Sequence, residues 1–575
     1  MKKLAFPLLL LALIAAPVAT RAFAKDAPSK PEVAVGMKTV AVLAITSYDE
    51  LMKDLAFLGE ISGNPGMDQQ LDGMLKLFTQ NQGLKGLDTT RPWGATVQTD
   101  DVQFQPLIFL PVKSLKDLLG ALGPMVGEPE DEGDGVLGLQ AGPQKIYAKE
   151  QSGWAFLGQT PESLAKLPKD PAKLLTGLNP QYDIGLRLHV QNIPEMYRTM
   201  AIDQLKAGVE QGTGRQPDED EKAYEARKKL MEAQVEQMVT SINETKEVTV
   251  GWKIDREQKS TFVDLRLTAV PGGRMAAQIK NLQDMPSDFS GFVDTDAAGS
   301  FNFVSKVPSQ DLEQQLGQLE GVKLTVLNQL NKDKKIDDPE TKKAIESIVN
   351  DLFDSLTATM KAGKVDAGMS VRLGEEEMSV VAGVLVADPK KIESSFRKLV
   401  DIGKKDKKFP GVKYDAVKHK GVRFHTMSIP VPKDEDIAKV VGDKLEVAVG
   451  FGAKQVYLAL GTDNINKVKT AIDKSASEAG KKFPPARLTL AMGSILKFAS
   501  SVSPNPMVGT MADELAKTEG KDHIIVALRP ADPDGAIGYR VTAEEGVLKL
   551  LGQAGKLAGG RGAGAAAEAR PARRK

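Results

Sequence analysis

Ser494 and Lys497 are the pair of residues whose types and spacing come nearest to covalent chemistry. They form S-x-x-K where a strand, Arg487 to Ala491, gives way to a helix. Serine β-lactamases and penicillin-binding proteins keep their nucleophile at such a junction. The rest of that signature is missing. Thr462-Asp463-Asn464 loosely resembles S-D-N but precedes the S-x-x-K, and no Lys-Thr-Gly strand follows it. Ser395 and Lys398 repeat the short pattern elsewhere, as a lysine-rich chain will by chance.

Gly133-Asp134-Gly135-Val136-Leu137-Gly138 matches G-x-G-x-x-G. A dinucleotide site needs a strand before that motif and a helix after it, so that the pyrophosphate meets a helix N-terminus. Here the acidic run Glu128-Pro129-Glu130-Asp131-Glu132 precedes and a strand follows, so carboxylates would repel the phosphates. The acidic run has calcium-type oxygens but not EF-hand spacing, and it reads as a solvated connection.

The four histidines are His189, His419, His425 and His523, with no H-x-H or H-E-x-x-H among them. His419 and His425 belong to one hairpin turning near Lys420-Gly421. Pairing across that turn sets His419 opposite Val422 and His425 opposite Ala416, with the imidazoles on opposite faces. A two-histidine metal site is therefore not expected there. No G-x-S-x-G elbow supports a serine triad, although triad members need not be close in sequence. We assign no catalytic, cofactor-binding or metal-binding residue, and no cofactor.

The chain has no cysteine, which excludes disulfides, thiol nucleophiles, cysteine zinc sites and iron–sulfur clusters. Lys+Arg and Asp+Glu balance at 76 each, so there is no global footprint for nucleic acid. Tryptophans are few, at Trp93, Trp154 and Trp252, which weighs against sugar or single-strand stacking platforms. Asn243-Glu244-Thr245 matches a glycosylation sequon by coincidence of pattern.

The elements that hold these residues follow an address. Lys2 and Lys3, the apolar stretch Leu4 to Ala19 and the small residues of Ala22-Phe23-Ala24 form a cleavable signal peptide over 1–24. The stretch is shorter than the roughly 20 residues of a spanning helix, and Pro7 and Pro17 interrupt it. With no cysteine at the cleavage site, a lipoprotein anchor is excluded. No later apolar run is long enough to span, so the expected product is a soluble periplasmic or extracellular protein. A polar linker (25–36) follows the signal. A basic tail (558–575) closes the chain and carries Arg561, Arg570, Arg573, Arg574 and Lys575. It has almost nothing to bury and reads as disordered; its possible partners are lipid headgroups or an envelope polymer.

Between these ends one pattern recurs: an alternating strand, a polar break, then an amphipathic helical stretch. The strands begin at Thr39, Ile184, Ser300 and Arg487, and the helical stretches open near Tyr48, Pro194, Ser309 and Ser494. Two more strands and another helix follow each time. The first and third units carry an extra strand-rich segment, ending at Gly158 and Gly461 with helices expected from Pro161 and Asp463. Long, short, long, short is the pattern of a tandem duplication, with halves at 37–285 and 286–557. Strand–helix–strand–strand–helix resembles the ferredoxin-like split βαβ arrangement. The expected fold class is therefore α+β, with antiparallel sheets and long amphipathic helices. Ile184, Leu186, Leu188 and Val190 share one strand face, Arg187 and His189 the other. Two long helices carry apolar stripes: Tyr224, Met231, Val235, Met238 and Ile242, then Ile345, Ile348, Leu352 and Leu356. They are expected to pack on the sheets, or else to wall an apolar ligand cavity.

The segment Gly86-Leu87-Asp88-Thr89-Thr90-Arg91-Pro92-Trp93-Gly94, with Pro106 to Leu119, resembles a pattern in large secreted proteins of planctomycete-type bacteria. The likeness covers mainly the first unit, and the third unit lacks the Arg-Pro. It implies export and fold, and carries no activity. Arg91-Pro92-Trp93-Gly94 reads as a tight lead into a strand. The expected function is a non-enzymatic binding or scaffold protein of the cell envelope. The alternatives are a carrier of an apolar ligand or lipid between sheets and helices, and a hydrolase assembled from distant residues.

Overall fold

A computed structural model describes residues 36–553, apart from 213, 216–220, 333–337, 375–376, 408, 433–437, 504 and 532–534. The expected signal peptide, the linker up to residue 35, the basic tail and turn residues 375–376 and 532–534 lie outside the described residues.

Alternating apolar and polar residues produce strands where the pattern is strictest, and capping residues start the helices between them. In chain order, β1 (Lys38–Ile45) leads to α1 (Tyr48–Ile61) and α2 (Met67–Phe78). The hairpin β2 (Trp93–Thr99) and β3 (Phe104–Pro111) precedes α3 (Leu115–Val126). Next come β4 (Glu130–Gly133), β5 (Val136–Ala141), β6 (Gln144–Gln151) and β7 (Trp154–Gly158). After β8 (Ile184–His189) come α4 (Glu195–Gly212) and α5 (Glu221–Glu244). The hairpin β9 (Thr245–Asp255) and β10 (Ser260–Ala269) follows, with α6 (Arg274–Asn281) and the short β11 (Met285–Pro286).

The later chain runs β12 (Gly299–Lys306), α7 (Ser309–Lys332), α8 (Pro339–Lys361), β13 (Lys364–Leu373), β14 (Met378–Leu385) and α9 (Pro389–Gly403). It continues with β15 (Lys413–His419), β16 (Val422–Pro430), α10 (Ala438–Val441), β17 (Lys444–Phe451), β18 (Gln455–Gly461) and α11 (Asn464–Ser477). It ends with β19 (Lys482–Phe483), β20 (Ala486–Ala491), α12 (Met492–Val502), α13 (Pro506–Ala516), β21 (His523–Ala531) and β22 (Ala536–Glu544). The Ser47 hydroxyl caps α1, Ser114 caps α3, and Asp388 with Pro389 starts α9.

The fold is α+β, and its sheets are antiparallel. Contacts divide the described chain into two compact units: 36–200 with 245–267 and 548–553, and 201–244 with 268–547. In the first unit the strands lie in the order β4-β5-β6-β7-β3-β2-β1-β8-β9-β10. In the second the order is β15-β16-β17-β18-β14-β13-β12-β20-β21-β22.

Two expectations change. The helical stretch after each leading strand is a pair of helices, and the strands it joins are direct antiparallel neighbours: β1 and β2, β8 and β9, β12 and β13, β20 and β21. A split βαβ unit needs a parallel crossover, so these units are meanders with helical hairpins as connections. The helix expected from Pro161 is a single 3₁₀ turn, Pro161–Leu164, followed by another at Pro171–Leu175. Pro168 and Pro171 lack the N–H donors that would extend it.

Each sheet has a tightly covered face, here the back. In the first unit Gly94, Ala44, Gly185 and Gly251 are lateral neighbours on four adjacent strands. Leu175, Leu178 and Tyr182 lie directly on this small-residue floor, and a Cβ at Gly251 would come within 2.3 Å of the Tyr182 ring. Phe109, Trp154 and Phe156 complete the buried cluster. In the second unit Gly368 and Gly383 pair across β13 and β14, beneath Phe289. Phe292, Phe424, Tyr457 and α11 residues Val468, Ala471 and Ile472 fill the rest. Removing the side chain from the floor lets a loop aromatic reach the backbone.

Candidate binding surface: the apolar front of each sheet

The opposite, front face carries the larger apolar side chains. In the second unit, Leu458, Ala382, Met369, Phe301, Leu488, Val526 and Val541 are successive cross-strand partners over β18, β14, β13, β12, β20, β21 and β22. Six strand spacings make this row roughly 29 Å long. Its ends are open: Leu458 is 38% exposed and Val541 44% exposed. The first unit has an equivalent row, Leu157, Ile108, Ala95, Leu43, Leu186 and Val250. There Leu186 is 44% exposed and Val250 40% exposed. Val263 and Leu265 extend the open apolar surface on β10.

Ile184, Leu186 and Leu188 alternate as the sequence indicates, whereas Val190 opens a 3₁₀ turn and is buried; Leu186 stands open while Gly185 behind it is buried. The inversion has a cause: the back is already filled by rings seated on glycine. Fully burying a leucine or valine is worth about 1.5–3 kcal/mol, so half-open residues forgo on the order of 1 kcal/mol each. A contiguous apolar strip of this kind is characteristic of an interaction surface. It has no directional chemistry; it can take apolar surface out of water.

A helix packs on one end of each front. In the first unit α3 packs Leu115, Leu118 and Leu119 with Leu139, Ala148 and Ala155. In the second unit α9 covers β16 and β17, where Phe396 lies against His425 and Phe451. His425 is buried and both its ring nitrogens are engaged. Nδ1 accepts the Asp415 N–H at 3.0 Å, and Nε2 meets Glu393 Oε1 at 3.1 Å. Burial pushes the Glu393 carboxyl up, but Arg423 at 2.6 Å, Arg397 at 2.8 Å and His425 outweigh it and hold it at about 2. Nothing in this cluster is left over for catalysis.

The expected long-helix stripes do not pack on the sheets as core. Met238 on α5 and Leu352 and Leu356 on α8 remain exposed, and α5 packs on α7. A groove of about 650 Å³ lies between α4 and α5, lined by Val209, Val235 and Val239 with Lys206, Lys228, Glu210, Glu232 and Glu236. It is a helix-to-helix groove of mixed charge, not a space between helix and sheet.

The chemically suggestive residues are placed apart or fully occupied. Ser494 sits in the first turn of α12, whose Gly493 N–H donates to Asp522. The neighbouring His523 meets Glu544 Oε2 at 2.8 Å. That hydrogen bond raises the imidazole's pKa; burial opposes it, while Glu544, Asp522 and the Thr295 carbonyl add to it. Among the described residues, Ser494 forms no hydrogen bond with a histidine. The second S-x-x-K is a helix tie: Ser395 and Lys398 both bond Asp351 on α8, at 3.0 and 2.7 Å. Asp463 caps α11 in left-handed backbone, and Asn464 donates to the Ala459 carbonyl. Gly133, Asp134 and Gly135 all have positive φ and form the turn between β4 and β5. Glu130 and Glu132 in the acidic run both hold Lys145 at 2.6 Å. His419 pairs with Val422 as the register requires and bonds Asp473 on α11, while His425 faces α9; the two imidazoles lie on opposite faces. His189 lies 3.4 Å from Glu247, and burial lowers its pKa. Among the described residues no group of three or more His, Asp or Glu side chains could hold a metal ion.

The Arg91-Pro92-Trp93-Gly94 segment is a clamp. Arg91 bonds Asp88 at 2.8 Å and the Gly153 carbonyl at 2.7 Å, and its guanidinium lies 4.7 Å from the Trp154 ring centre. It ties the start of β2 to the turn before β7. A second cluster was invisible in the sequence: Asp183, fully buried, meets Lys253 Nζ at 2.5 Å and the Ile254 N–H at 2.7 Å. Its counterpart in the second unit is Asp366, also fully buried, held by Lys364 at 2.8 Å, the Ser287 hydroxyl at 2.6 Å and the Asp288 N–H at 2.7 Å.

Comparison with family models, curated proteins and solved structures found no match to this chain. Among the described residues no helix is long and apolar enough to cross a membrane.

Proposed function

We propose that the chain is an exported, non-enzymatic binding protein of the bacterial cell envelope that works through the open apolar fronts of its two sheets. The observation that carries this reading is the row from Leu458 to Val541, half open at both ends while the back of the same sheet over β14 to β18 is closed. Export rests on Lys2, Lys3, the apolar stretch and the Ala22-Phe23-Ala24 site. The identical order of strand pairing in the two sheets supports origin by tandem duplication, which would supply two such fronts on one chain. The basic tail would add contact with anionic envelope material.

An apolar ligand and an apolar protein surface would both seat on the row, and native mass spectrometry of protein purified from the envelope separates them. A reproducible bound mass extracted by organic solvent makes the protein a carrier. No bound mass, together with uptake of an apolar fluorescent probe, makes it a docking module. Failure to take up the probe overturns the proposal.

A further inference from the structure

Where α1 meets the end of β9 in the first unit, three carboxylates meet three cations, of which Lys53 pairs with Glu50. Asp183 is fully served by Lys253 and the Ile254 N–H. Asp54, on the second turn of α1, is 2% exposed and has Arg256 Nε at 3.2 Å. The same guanidinium also holds Glu50, one turn earlier on α1 and otherwise paired with Lys53. Asp54 is therefore the carboxylate without a cation of its own, and it faces the buried charge of Asp183. The neighbouring α2 adds no cation here: its Asp72 faces Tyr48 and pairs with Lys76. In the second unit Lys364 holds both Asp366 and the half-exposed Asp288, and Asp366 also accepts from the Ser287 hydroxyl.

We propose that this junction is a pH-responsive latch, in which one proton on Asp54 decides how firmly α1 is held against the β9 end of the first sheet. Protonated, Asp54 places a neutral group beside Asp183 and leaves Arg256 to Glu50. Ionised, it adds a second negative charge beside the buried Asp183 with only the shared Arg256 to offset it, and α1 loosens. The direction agrees with its titration: burial first, then the Asp183 charge, push the carboxyl up to about 6, against Arg256 and Lys253. A carboxyl raised on folding adds stability below its unfolded value that is lost as pH rises through about 6.

Hydrogen exchange of the α1 segment, Tyr48 to Ile61, in the full chain tests this. After correction for intrinsic exchange, protection should fall about tenfold between pH 5 and pH 7.5, one pKa unit being tenfold. Asp54→Asn should flatten that dependence. Glu50→Gln, an exposed change that frees Arg256 for Asp54, should move the midpoint to lower pH. The segment around Asp366 is the internal control and should not show the shift. Flat protection in the unaltered chain, or an unchanged dependence in Asp54→Asn, overturns the latch. If Asp54→Asn does not fold, an unmoved midpoint in Glu50→Gln overturns it alone.

Discussion

The two faces of each sheet are built on opposite terms. The back is floored by glycine and closed by Tyr182 in one unit and Phe289 in the other. The front carries leucine, valine, methionine and phenylalanine and is packed on by a helix at one end. A sheet is ordinarily stabilised by burying its most apolar face. Here the small-residue face is buried, and the apolar face is left available. The back carries the close packing, while Leu186, Val250, Leu458 and Val541 on the front stay half open.

The largest effects should come from the back. Gly251→Val and Gly383→Val each set a Cβ about 2.3–2.4 Å from a ring that cannot move aside, at Tyr182 and Phe289. Each should cost about 3 kcal/mol or more in denaturant unfolding. Wild-type stability in either would show that the rings do not depend on the floor. Asp183→Asn comes next, because it leaves the partly buried Lys253 without its anion, followed by Asp366→Asn, which leaves Lys364 only the half-exposed Asp288. The expected loss is about 2 kcal/mol, reduced from the fully buried case because water still reaches the lysines.

A smaller effect is expected at His523, on the back of β21. Its imidazole is raised by Glu544, so its contribution is complete below the unfolded histidine value and is lost as pH rises through the raised one. His523→Gln should flatten that part of the stability–pH curve between pH 6 and 8; an unchanged slope would contradict the assignment. Smallest of all, Leu186→Thr and Leu458→Thr on the front should cost no more than about 1 kcal/mol. A loss like that at Gly251 would mean the front is core after all, and the contrast between the faces would fail.

Strand positions were legible because alternation is local: the leading strands expected at Thr39, Ile184, Ser300 and Arg487 start within a residue of β1, β8, β12 and β20. Alternation tells which residues share a face but not which face is covered. That depends on Tyr182 reaching Gly251, and on Phe289 reaching Gly383, contacts that no periodicity encodes. The stripe on α5 read as sheet-facing because amphipathicity does not name the partner, and the partner is α7. The charge clusters were illegible for a related reason. Arg256 and Glu50 are 206 positions apart, and neither residue lies in any recognisable motif. Ser494 with Lys497 and Gly133 to Gly138 were legible as patterns, but each lacks the neighbouring elements its motif requires.

The central claim is that the half-open row binds apolar surface. Titration of the folded protein with an apolar fluorescent probe measures this, comparing the unaltered chain with Leu186→Glu, Leu458→Glu and the double variant. Saturable uptake that falls in each single variant and is abolished in the double, with unfolding midpoints unchanged, is the predicted result. Uptake that is absent from the unaltered chain, or undiminished in the double variant, would contradict it.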